Sequence, residues 1–162
     1  MRYERNRMNK QLTELHANIR VEFDVPGTPI PKARPRVYHG QGITPKRTRD
    51  AEQRIRDTFT SLHPDMTPFD QPVRLETTFW MTDYRVCDVD NLVKLVQDAL
   101  NTIAYTDDRW IHELYATVRR PDTRVPGKRG PRKRRAGDPL TWFGGHYKPH
   151  THITITTITT NK

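Results

Sequence analysis

Apolar and polar residues alternate cleanly from Ile19 onward. Ile19, Val21, Phe23 and Val25 face one way and Arg20, Glu22 and Asp24 the other, the period of a half-buried strand that Pro26-Gly27 stops. Residues 28–47 hold four prolines with Gly40 and Gly42, which predicts an extended loop or irregular hairpin. The apolar spacing then lengthens at Ala51, Ile55, Phe59 and Leu62, predicting a short amphipathic helix over 49–62 that His63-Pro64 ends. Alternation returns at Val73, Leu75, Thr77, Phe79 and Met81, a second strand whose other face carries Arg74, Glu76, Thr78 and Trp80. Trp80 on that polar face would meet a second subunit or the first helix. After a turn over 83–88 comes the strongest helical pattern, 91–103, with Leu92, Leu95, Val96, Ala99, Leu100 and Ile103 in one core-facing stripe and Asp90 in the N-cap place. A turn over 105–109, a third strand over 110–118 and a β-branched last strand over 151–160 complete the pattern. Residues 1–18 are polar and weakly patterned, an N-terminal extension without an assigned role. The expectation is a mixed α/β (α+β) fold, a four-stranded mixed sheet with two packed helices, in one domain over 19–162.

Charge adds a segment that the periodicity leaves blank. The formal charge of the 162 residues is +9, yet nine basic residues and one acid fall within 119–135, so the rest of the chain is nearly balanced. That run lies in a Pro- and Gly-broken insert over 120–150. Such a run can simply be solvated, but so many like charges repel one another without an anionic partner, and nucleic acid is the obvious one. Lys32, Arg34, Arg36, Lys46 and Arg47 form one basic strip; Arg129, Arg132, Lys133, Arg134 and Arg135 lie in the other. The single cysteine, Cys87, excludes an intrachain disulfide framework and fits a reducing cytoplasm. No apolar run approaches the ~18 residues of a membrane span, so no membrane is expected as a partner.

Chemistry concentrates in Asp88-Val89-Asp90-Asn91-Leu92-Val93-Lys94, then Asp98, then Asp107-Asp108. Asp90, Lys94 and Asp98 follow one another at four-residue steps and so share the helix face turned away from the core. Crowded carboxylates repel, and a hard cation such as Mg²⁺, with Mn²⁺ as a substitute, relieves that repulsion while leaving positions for phosphate oxygens and water. The bland reading is a helix cap at Asp90 with Asp88 against the helix dipole, and an ordinary surface pair of Lys94 with Asp98.

These residues resemble a known family, the RusA-type Holliday junction resolvases of bacteria and their phages. Asp88 to Lys94 is similar to the family's Asp-x-Asp-Asn-Leu-x-Lys motif, continued by Asp98-Ala99-Leu100-Asn101 and Asp107-Asp108. Pro31-Lys32-Ala33-Arg34-Pro35-Arg36 and Thr44-Pro45-Lys46-Arg47-Thr48 are similar to its proline-basic segments. The resemblance spans about 25–118. It implies a homodimeric, Mg²⁺-dependent endodeoxyribonuclease of DNA recombination and repair that cuts four-way junctions in symmetric pairs, with a cytoplasmic site of action. By position, Asp88, Asp90 and Asp108 would be the metal-binding carboxylates, Lys94 the supporting cation and Asp107 a neighbour behind them. Trp110 stands where many relatives carry a polar residue, and the insert is longer and more basic than the family leads one to expect.

Two rivals stay open at this level: a non-catalytic nucleic-acid-binding module whose acids only cap a helix, and a nuclease acting on other branched DNA. Cys87 reads as a small residue beside the site. His146, His150 and His152 read as solvated loop residues in preference to a zinc cluster. Trp142-Phe143-Gly144-Gly145 reads as a hydrophobic anchor for the insert in preference to a base-stacking tip.

Overall fold

The computed structural model describes residues 18–34, 36–38 and 41–159. The extension over 1–17 and the side chain of Arg36 lie outside that description. Four strands form one mixed sheet: β1 (Arg20–Pro26), β4 (Val73–Trp80), β5 (Ile111–Arg119) and β10 (His150–Thr157). Their order is β1-β10-β4-β5, with β10 antiparallel to both neighbours and β4 parallel to β5. The parallel pair is joined through helix α2 (Val89–Leu100), whereas helix α1 (Lys46–Leu62) precedes β4. A small hairpin, β2 (Arg36–Tyr38) with β3 (Gln41–Ile43), occupies the proline-rich segment before α1.

The inward residues of the predicted strands build the core as expected. Val21, Phe23 and Val25 of β1, Val73, Leu75 and Phe79 of β4, and Ile153 and Ile155 of β10 are buried in one cluster with Ala51, Ile55 and Phe59 of α1 and the apolar stripe of α2. Each such side chain removed from water contributes about 1.5–3 kcal/mol.

The boundaries differ from the periodicity where other forces act. Helix α1 starts three residues before the predicted Arg49, because the Pro45 carbonyl accepts from the Thr48 and Arg49 amides at 3.0 and 3.2 Å; no apolar residue advertises that first turn. Helix α2 begins at Val89, so the N-cap position belongs to Asp88, and Asp90 lies inside the first turn. The expected Asp90 cap is thereby corrected, and Asp88 makes no side-chain cap bond either. Ile103 is likewise not helical: the chain turns at Asn101, and Ile103 packs on the core from the following loop.

The insert over 120–150 is organised by polar staples. Two short ribbons run through it, β6 (Arg124–Val125) with β7 (Arg132–Lys133) and β8 (Thr141–Trp142) with β9 (Gly145–His146). The Arg132 guanidinium donates to both oxygens of Asp138 at 2.7 and 2.8 Å, and Arg134 donates to the backbone carbonyls of Asp122, at 2.8 Å, and of Pro139. Asp122 accepts from the Phe143 and Gly144 amides at 3.0 and 2.9 Å. Phe143 and Gly144 are the two central residues of the β8–β9 turn and have φ of +48° and +77°. Both in the left-handed region make the tight turn that matches strand twist, at a cost of roughly 1–2 kcal/mol for the phenylalanine.

Trp80 is half-buried on the outer face of β4. Its ring packs on Trp142, Tyr147 and His150 at 5.0–5.4 Å between centroids, so the insert covers it. His150 and His152 belong to β10 and not to a loop; His152 Nδ1 lies 2.7 Å from Asp24.

Candidate active site

Sequence neighbours near the end of β4 place the acidic motif. The strand stops at Trp80, residues 81–88 cross its end, and α2 then runs back along the sheet, presenting Asp88 and Asp90 at its first turn. Both carboxylates are exposed. Asp88 accepts a long 3.4 Å bond from the Asn91 side-chain Nδ2, while Asp90 lines a groove of ≈ 460 Å³ with Asn91, Lys94 and Gln97 of α2 and Leu114 and Ala116 of β5. Cys87 packs on the core beneath this turn.

Lys94 is the hub. Its ammonium lies 2.9 Å from Asp98 and 3.4 Å from Asp108, the residue that opens a one-turn helix, Asp108–Trp110, ahead of β5. The shared face of Asp90, Lys94 and Asp98 expected from their spacing is therefore present, and the fold adds Asp108 to it. Asp98 also pairs with Lys32, whose ammonium reaches Glu52 at 3.1 Å. Asp107 accepts from the Arg109 amide at 2.9 Å and shapes the short helix that aims Asp108.

Titration follows from these contacts. The Asp98 hydrogen bond, against partial burial and with help from Asp108, raises the Lys94 ammonium above its ordinary value. Burial would push the Asp98 carboxyl up, but the Lys32 and Lys94 ammoniums outweigh it and hold it below the ordinary carboxylate value. Lys94 is thus held in its cationic form by the Asp98 and Asp108 carboxylates.

Among the described residues no three His, Cys, Asp or Glu side chains converge as a preformed metal cage. The donor chemistry still fits a hard divalent ion. Asp98 is compensated by two lysines, whereas Asp88 and Asp90 stand in no ion pair among the described residues. Mg²⁺ typically takes only one or two protein carboxylates and keeps water in its other positions, which suits two exposed acids at the start of the helix that carries Lys94.

The basic strips separate by contact. Lys32 is engaged by Glu52 and Asp98, Lys46 pairs with Asp50 at 2.6 Å, and Arg34 is exposed. Arg47 lines a groove with Asp83, Arg85 and Cys87, directly before Asp88. In the insert Arg132 and Arg134 serve its own staples, leaving Arg129, Lys133 and Arg135 exposed to solvent. The self-repulsion of the run is relieved in part by Asp138, an acid beyond its end.

Three residues that bear on the site carry no signal at the sequence level. Arg120 donates to the Arg85 carbonyl at 2.9 Å and the Asp83 carbonyl at 3.4 Å, Tyr84 donates to the Pro121 carbonyl, and Tyr147 donates to the Met81 carbonyl at 2.6 Å. The start of the 81–88 segment is thereby braced by the insert. Their partners are backbone carbonyls more than thirty positions away, which no local pattern reveals.

Comparison with known protein families matches residues 26–132 to the family described as endodeoxyribonuclease RusA. No curated protein matches the chain.

Proposed function

From the premise that this chain belongs to the RusA endodeoxyribonuclease family, we propose that it is a divalent-cation-dependent endonuclease that resolves four-way DNA junctions by paired phosphodiester hydrolysis. The observation that carries the reading is the placement of Asp88 and Asp90, in no ion pair among the described residues, at the start of the helix whose Lys94 pairs with Asp108. Mg²⁺ held by Asp88 and Asp90, with Asp108 contributing, would supply Lewis-acid activation of water and neutralise charge on the phosphodiester. Lys94 stays protonated and meets the charge that builds on the phosphorus oxygens or the leaving oxygen. Asp98 and Asp108 orient that ammonium from two sides. Arg47, Arg85 and the exposed basic residues of the insert grip the backbone on either side, and cleavage leaves 5′-phosphate ends.

Paired incision calls for two copies. Among the described residues strand β5 is a sheet edge, and its Leu114 and Tyr115 are 47% and 56% exposed beside the groove that holds Asp90 and Lys94. An unpaired edge with exposed apolar side chains is a template for a second chain, and a C2 dimer would match the near two-fold symmetry of a junction.

Asp90→Asn tests the assignment. Cutting should fall by at least about 10²-fold, as expected when a catalytic charge is removed, while junction binding in EDTA stays equal or tightens because a negative charge near phosphate is gone. A folded variant that loses binding would show that Asp90 shapes the interface and does not hold the metal.

A further inference from the structure

The tip of the β8–β9 ribbon has no part in the reading above and lies beyond the residues that match the family. Phe143 is 85% exposed, although Trp142 beside it is anchored on Trp80 and carries the Arg119 guanidinium 4.3 Å from its ring centroid. The sequence alternatives therefore divide between neighbours: Trp142 is the anchor and Phe143 the free tip. Phe143 stands nearly perpendicular to Trp142, at 4.8 Å between centroids, and its ring remains largely open to solvent. Its position is enforced, since Asp122 holds the amides of both turn residues and the backbone adopts a conformation that a bulky residue normally avoids. Strain kept at an exposed aromatic is a reason to look for a ligand.

The ground beside the tip suits one kind of ligand. A groove of ≈ 610 Å³, within the ~300–1,000 Å³ of small-ligand sites, is lined by Gly144, Arg124 and His146. Two acids also line it, but Asp138 is clasped by Arg132 and Asp122 by the turn amides. Ten basic residues against two acids over 119–150 give the surroundings a strong positive field. An open aromatic face beside arginine, within a basic surface, is the arrangement that holds single-stranded nucleic acid by base stacking and phosphate contact.

We propose that the 141–146 ribbon is a second DNA contact, in which Phe143 stacks on an unpaired base and Arg124 with His146 meets the adjoining phosphates. The DNA assignment rests on the nuclease reading, which brings branched substrates with unstacked bases to the protein.

The test uses the full chain in EDTA, so that no cutting is needed. Fluorescence anisotropy compares a labelled oligothymidylate, an abasic strand of the same length and a blunt duplex, for the parent and for Phe143→Ala, Phe143→Leu and Phe143→Trp. The parent should prefer the base-bearing strand; Ala and Leu should reduce that preference by roughly tenfold, the loss of about one stacked base, and Trp should restore it. Duplex affinity and melting temperature should not move, because the side chain is solvent-facing. Equal binding of the two single strands by the parent, a preference unchanged in Phe143→Ala, or a loss shared equally by the duplex would each overturn the proposal. A parent that stacks bases but never cuts junctions would overturn the nuclease reading alone.

Discussion

Lys32, Asp98, Lys94 and Asp108 form a chain of alternating charge along the exposed side of α2, and Asp98 is its central link. Four-residue spacing showed Asp90, Lys94 and Asp98 on one face, because a helix repeats nearly every four residues. It could not show Lys32 or Asp108, which arrive from distant segments through the tertiary fold. Asp98→Asn should slow cutting about tenfold by loosening Lys94, and cost about 1.5 kcal/mol, the low end for a hydrogen bond to a charged group. The folded Asp98 carboxyl titrates below its ordinary value of 3.8. Its contribution is therefore complete above that value and lost as pH falls through the lower folded one. Thermal melting of parent and variant should differ most at neutral pH and converge below about pH 3.8. A gap that widens in acid would contradict the charge assignment.

Helix α2 and strands β1, β4 and β10 were legible because each buries a periodic face, whereas the insert was not. Its strands are two residues long, too short for alternation to register, and its cohesion comes from Arg132–Asp138, Arg134 and Asp122. Read as sequence, both arginines counted toward a DNA-binding strip; in the fold both make hydrogen bonds within the insert itself. The insert also reaches back to the segment ahead of Asp88 through Arg120 and Tyr147. Arg120→Ala should release the Asp83 and Arg85 carbonyls and let that segment shift. Displacements of about 1 Å cost up to ~10² in rate, so kcat on a junction should fall by roughly tenfold or more with EDTA-state binding nearly unchanged. Unchanged kcat would mean that the brace does not position the acids.

At the scale of the molecule, a nearly neutral α/β body carries a concentrated positive insert. Each phosphate neutralised releases counterion, so junction affinity should fall about 10³-fold or more between 50 and 200 mM salt if six or more contacts form. Replacing Arg129, Lys133 and Arg135 together by alanine should flatten the log–log salt slope by about three for each protomer bound. A slope identical to the parent's would move the DNA off the insert. The central claim is the coupling of acidic cluster, divalent ion and branched DNA, and mapping of cleavage products tests it most directly. A synthetic four-way junction and a duplex of matched sequence are incubated with the protein in Mg²⁺ and in EDTA. Paired, symmetric nicks in the junction alone, present with Mg²⁺ and absent with EDTA, are the predicted result. Tight junction binding with no nick in either Mg²⁺ or Mn²⁺ would contradict it and leave Asp88 and Asp90 as acids that serve only the helix terminus.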